Sequence, residues 1–163
     1  MANRLKYPLS AYDKYICLDV SVGLWLVIAF LMRPYVIVVM SVANRRDPMG
    51  LIDVFYADRS HLALGALAAI PAVLLFIAWN KRKPGASASV RALWHRGRAL
   101  LTASAVLNAV IAVLPLVHGR AGGIDYLGVV QLALCGWILV YLYDSERVRD
   151  TFADFPEEAQ TSS

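Results

Sequence analysis

Charge is scarce in this chain. Asp, Glu, Lys and Arg together make up 17% of its 163 residues, while 59% are hydrophobic, and soluble domains usually carry about a quarter charged residues. Acidic residues are absent from 60–80, 99–119 and 126–143, which removes the intramembrane carboxylate relay of a proton-coupled transporter. Asp19 reads as a boundary residue near Lys14. Cysteine is limited to Cys17 and Cys135, with no CxxC pair, so thiol oxidoreductases and thiolate metal sites are excluded and both cysteines read as small packing residues. The chain also lacks GxSxG, HExxH and P-loop motifs, and with them the common hydrolase and nucleotide chemistries. Its sixteen basic residues are scattered between apolar runs and form no single face, which excludes a nucleic-acid module.

What remains is apolar sequence in long runs. Mean hydropathy is +0.55, and crossing about 30 Å of hydrocarbon takes about 20 apolar residues. Ser60 to Asn80, Ala99 to Gly119 and Tyr126 to Tyr143 each meet that length without an internal charge. Val20 to Ala43 meets it with one charge, Arg33, followed at once by Pro34. That segment reads as one span kinked near Pro34, with a re-entrant hairpin as the alternative. The first apolar run is too long for a signal-peptide core and is expected to stay in the mature protein.

The expected fold is all-α: a polytopic membrane protein with four transmembrane helices in an up-down bundle. The spans fall at about 18–43, 60–80, 99–118 and 126–143 within a single domain of 1–156, followed by a disordered tail of 157–163. With four spans, eleven Lys and Arg fall on the side of the termini and four on the other. The positive-inside rule then makes both termini cytoplasmic.

Small residues at i, i+4 favour close helix approach. Such pairs are Gly65 with Ala69, Ala99 with Ala103, and Ala105 with Ala109. Outside the spans, Ser87 or Ser89 is expected to cap a helix through Trp94, with Arg91 and Arg96 towards lipid phosphates. Leu51 to Tyr56 suggests a short surface helix, and Glu146 to Pro156 a brief extension of the last span.

Several short strings carry a resemblance. Tyr12-Asp13, Leu24-Trp25, Phe30-Leu31-Met32-Arg33-Pro34, Phe55-Tyr56-Ala57-Asp58-Arg59, Ser145, Arg149-Asp150 and Phe152-Ala153-Asp154-Phe155-Pro156 resemble the YfeZ-like family of small bacterial inner-membrane proteins over nearly the whole chain. The resemblance implies a fold and a bacterial inner-membrane location, and brings no catalytic or ligand residues.

Arg33 is the most informative single residue, because a charge within a span is kept only if it is paired, hydrated or used. Asn108 and Gln131 are the other strongly polar residues in the spans, and all three are expected to form one interior cluster. His61 and His118 fall at the outer membrane edge, where a haem would be poorly enclosed, so no cofactor is expected. The expected function is therefore non-enzymatic: a membrane protein acting through helix–helix association with itself or another membrane protein. The alternative is a small transporter or lipid-binding protein using the Arg33 cluster, with an anionic lipid as partner.

Overall fold

The chain enters its first helix from extended backbone. In a computed structural model, which describes residues 6–8, 11–13, 17–44, 47, 50, 52, 56, 59–117 and 126–156, Tyr12 and Leu18 form an antiparallel bridge. Ser21 then ends the stretch by accepting the Leu24 N–H at its hydroxyl, 3.2 Å away, which satisfies one of the orphan donors of a helix start. Helix α1 (Val22–Leu31) follows, then α2 (Arg33–Ala43), α3 (Arg59–Asn80), α4 (Ala88–His95), α5 (Gly97–Val117), α6 (Tyr126–Asp144) and α7 (Glu146–Ala153). Helix α1 thus begins at Val22, a turn after the expected start of the first span at about residue 18. Residues 18–21 are held instead by the bridge and the cap.

Among the described residues three helices are long and apolar enough to cross a membrane, within Ser60–Asn80, Gly97–Leu114 and Tyr126–Asp144, and α1 with α2 meets the same test as a pair bent by 66°. The break sits at Met32, and Pro34 is the second residue of α2. Proline has no N–H to continue the preceding ladder but suits the first turn of a new helix. Pro71, by contrast, lies inside a continuous α3.

The most extensive packing joins α3 to α5 and α5 to α6. Gly65, Ala68, Ala69 and Ala72 are buried on α3, and Leu101, Ser104, Ala105, Asn108 and Ala112 on α5. Short side chains let the backbones close, and the Ser104 hydroxyl donates to the Ala68 carbonyl across the seam at 2.6 Å. Of the small pairs, Gly65 with Ala69 is buried and Ala105 with Ala109 largely so, whereas Ala99 and Ala103 face outwards. Helix α1 lies against α3 and α5. Its Trp25 meets Trp79 edge-on at 4.6 Å, and the Ser21 and Tyr141 hydroxyls, 3.0 Å apart, tie α1 to α6.

Outside these seams the surface is apolar. Val36, Val39 and Val42 of α2, Leu67 and Leu74 of α3, and Val130, Trp137 and Val140 of α6 are all exposed. Such an expanse would aggregate in water and is the natural surface for lipid. The protein is a helical membrane protein in contact with the bilayer.

The last helix departs from expectation. Glu146 to Pro156 does not extend α6: Ser145 interrupts the helix and caps α7, accepting the Val148 N–H at its hydroxyl, 3.4 Å away. Helix α7 packs on α4, α5 and α6. It is held by buried Val148, Thr151 and Phe152. Residues 157–163, His118 and most of the Leu51 to Tyr56 patch lie outside the described residues.

Candidate functional site

Two polar constellations stand out, one within the spans and one at the end of the bundle that carries both chain ends. Within the spans, the structure brings two of the three expected residues together. Gln131 on α6 donates its amide to the Asn108 carbonyl on α5 at 3.1 Å. Asn108, 1% exposed, donates its own amide to the Ser104 carbonyl at 2.9 Å. With Ser104 bound to Ala68, a polar chain crosses from α6 through α5 to α3, and each donor meets a main-chain acceptor as apolar surroundings require. The Arg33 guanidinium lies 4.7 Å over the Phe30 ring, a cation–π contact within the bent segment. Among the described residues no hydrogen bond joins Arg33 to either amide.

The second constellation was not expected as a site. Arg82, which reads from sequence as one more topology-setting charge, is 8% exposed. Its guanidinium donates to the Leu18 carbonyl at 3.1 Å and the Asp154 carbonyl at 3.2 Å and lies 4.7 Å over the Trp94 ring. Trp94, expected as an interfacial anchor, is 1% exposed. Its indole N–H is shared between the Thr151 and Asp154 carbonyls at 3.1 and 3.0 Å. The Asp154 carboxylate in turn accepts the Leu18 N–H at 2.7 Å, and His95 Nδ1 meets the Phe152 carbonyl at 2.9 Å. Four parts of the chain therefore converge: the entry to α1, the end of α3, helix α4 and the segment after α7.

Local sequence explains the convergence. Gly85, at φ 79°, supplies the left-handed residue that turns the chain after α3, a conformation glycine adopts without strain. Gly97, at the start of α5, leaves the space into which the Phe152 ring and Leu75 pack. The string Phe152-Ala153-Asp154-Phe155-Pro156 carried the only advance signal of this hub, as part of the family resemblance.

Charge surrounds it. Lys6 donates to Glu146 and Asp150, both at 2.9 Å, and the Tyr7 hydroxyl donates to Asp150 at 3.0 Å. The bonds to Glu146 and then Asp150 hold the Lys6 ammonium well above its ordinary range. The bond from Lys6 lowers Glu146, and the bonds from Lys6 and then Tyr7 lower Asp150. Burial, followed by the neighbouring Asp154 carboxylate, pushes the Cys17 thiol up, so Cys17 stays protonated and unreactive. With the Arg82 Nη groups and the Trp94 indole bound to main-chain carbonyls, and Arg82 Nε alone of these donors buried without a partner among the described residues, the array fastens segments together.

No solved structure matches the chain. Inner membrane protein YfeZ of Escherichia coli (strain K12) is 34% identical over 71 residues, which is 44% of this chain and 48% of that protein. The chain thus spans about half the length of this curated relative. A family model described as Protein of unknown function (DUF2919) matches residues 7–154, from Tyr7 of the charged contacts to Asp154 of the hub. The match takes in the seven described helices and both polar constellations, and the chain belongs to that YfeZ-like family.

Proposed function

We propose that the protein is a non-enzymatic, four-span component of the bacterial inner membrane that acts by lateral association, with itself or with another membrane protein, and keeps both termini in the cytoplasm. The observation that carries this reading is the outward face of α6. Val129, Ala133, Gly136 and Val140 recur at helical spacing on the exposed side, and a Cβ built on Gly136 meets nothing within 4 Å. Glycine without a neighbour costs helix stability. It suits a surface that a second helix approaches closely, since helices in lipid associate by backbone packing.

Four spans follow from treating α1 and α2 as one crossing. A 66° bend shared equally about the membrane normal leaves an advance of about 26 Å for 21 helical residues, close to the hydrocarbon thickness. The eleven-to-four bias of Lys and Arg supports the orientation, and the relative's name supports the location. The absence of enzymatic chemistry is our reading of where polar groups go, since Ser104, Asn108, Gln131 and Trp94 each donate to a main-chain carbonyl.

Gly136→Ile tests association without touching the internal packing. Energy transfer between labelled copies in vesicles is expected to fall to the level of dilute monomers, with the thermal unfolding curve unchanged. Undiminished transfer would remove this face from the proposal.

A further inference from the structure

We propose that Arg98 and Tyr143 form a seat for the headgroup of an anionic phospholipid at the bundle end that carries the chain ends. Arg98 is the second residue of α5, half-buried, and Tyr143 is exposed one residue before the end of α6. The guanidinium carbon lies 5.0 Å from the centre of the Tyr143 ring, a cation–π contact that restrains the charged group. Among the described residues the side-chain N–H groups of Arg98 donate to no protein acceptor, and no carboxylate pairs with it, although Asp144 follows Tyr143 in sequence. A guanidinium fixed on an aromatic ring, with its donor edge unspent, is suited to bidentate recognition of phosphate.

Position selects the lipid as the source of that phosphate. Arg98 lies where the apolar stretch Gly97–Leu114 begins, and Ala99, Ala103 and Val140, within about one or two turns of the pair, are exposed and apolar. A ligand whose phosphate meets Arg98 therefore has its acyl chains beside an apolar surface.

Charge selects the anionic class. Lys81, Lys83, Arg91 and Arg96 at the same end are exposed, and among the described residues none forms an ion pair. The nearby carboxylates Glu146 and Asp150 are engaged by Lys6, and that of Asp154 by Leu18 N–H. These unpaired cations outnumber the other exposed carboxylates of this end, Asp13, Asp19 and Asp144, and such an excess favours a headgroup with net negative charge over a zwitterion that brings its own ammonium. This inference requires only that the protein sits in a membrane, and neither the orientation nor the association proposed above.

Native mass spectrometry of the full-length protein, released from detergent with equal phosphatidylglycerol and phosphatidylcholine of matched chains, reads the seat directly. Wild type is expected to retain phosphatidylglycerol at least about threefold over phosphatidylcholine, a preference that Arg98→Gln abolishes and Arg98→Lys preserves in part because ammonium lacks the planar fork. Arg149→Gln, which changes a solvent-exposed charge on α7, is expected to retain lipid as wild type does. Tyr143→Ala removes the platform at an exposed position, so it reports on the seat even if Arg98→Gln disturbs folding, and is expected to weaken retention. Equal retention of the two lipids, or wild-type retention by both Arg98→Gln and Tyr143→Ala, would overturn the proposal. Displacement of the lipid by inorganic phosphate would overturn it as well, by showing a site for a soluble ion.

Discussion

Arg82 and Asp154, 72 residues apart, hold each other through the main chain: the guanidinium binds the Asp154 carbonyl at 3.2 Å, while the Asp154 carboxylate is turned to the Leu18 N–H at 2.7 Å. The two opposite charges do not pair directly. Both instead grip the backbone at Leu18, the guanidinium through its carbonyl and the carboxylate through its N–H, so one arginine and one aspartate close three segments.

Removing the indole donor should loosen this closure. Trp94→Phe keeps an aromatic ring under Arg82 but takes the indole donor from the Thr151 carbonyl, while the Asp154 carbonyl keeps Arg82, at a cost of about 1–3 kcal/mol for a buried acceptor left unsatisfied. The expected result is a lower unfolding midpoint in detergent, with earlier proteolysis after α7 than in the spans.

Gly97 tests the fit of α7 on the bundle. A methyl there collides with the Phe152 ring and comes 2.8 Å from Leu75 Cδ1, and overpacking of this kind costs about 1–3 kcal/mol. In a double-mutant cycle, adding Phe152→Leu to Gly97→Ala should cost clearly less than the sum of the single changes. Strict additivity would show that the ring moves aside freely.

The N-terminal contacts predict a local response to pH. Because Glu146 and Asp150 are lowered from ordinary values of 4.5 and 3.8, their support is present above those values and is lost as the pH falls through the depressed range. Lys6 is raised, so its share is complete below the ordinary lysine range and fails only in stronger alkali. Hydrogen-exchange protection factors at residues 6, 7 and 11–13, which allow for the intrinsic slowing of exchange in acid, should therefore fall on acidification below about pH 4, while the spans stay protected because exposed ion pairs add little to global stability.

Arg33 gives a test within the spans. Arg33→Leu removes the contact with Phe30 but suits lipid, so stability in detergent should change by about 1 kcal/mol in either direction, and Gln131→Leu should cost about 0.6 kcal/mol, the usual worth of an intramembrane polar contact. Losses of several kcal/mol from Arg33→Leu would mean that the guanidinium carries far more of the packing than its contact with Phe30.

Reporter fusions check the orientation. Fusions after Lys83 and after Ser163 should read cytoplasmic, and one near Asp53 periplasmic. A periplasmic signal after Lys83 would convert α1 and α2 into a re-entrant pair.

Much of the helical pattern was legible because hydropathy and length alone locate helices in lipid. The runs read at 60–80, 99–118 and 126–143 appear as Arg59–Asn80, Gly97–Val117 and Tyr126–Asp144. Asn108 and Gln131 stood out because amides are rare in such runs, and both take part in internal ties. The break at Met32 was legible only as a proline, since a proline marks where a ladder fails and not how far the axis turns. The hub was hidden for a different reason. Arg82 and Trp94 have the composition of interfacial anchors, and their burial depends on carbonyls near the far end of the chain, which no local pattern displays. Ser145 was likewise a cap that a reading of apolar runs passes over.

The closure around Arg82 also orders events in time. Of its acceptors, Leu18 is made before it and Asp154 after it, so during synthesis the guanidinium and the indole of Trp94 emerge well before the Thr151 and Asp154 carbonyls that complete their hydrogen bonds. Closing so long a loop is the last step available to the chain. A polypeptide halted near Ser145 would leave Arg82 and Trp94 uncovered at the membrane surface, where quality-control proteases can reach them. Only a copy translated past Asp154 supplies these acceptors, and the segment after α7 thereby acts as the cover of both side chains.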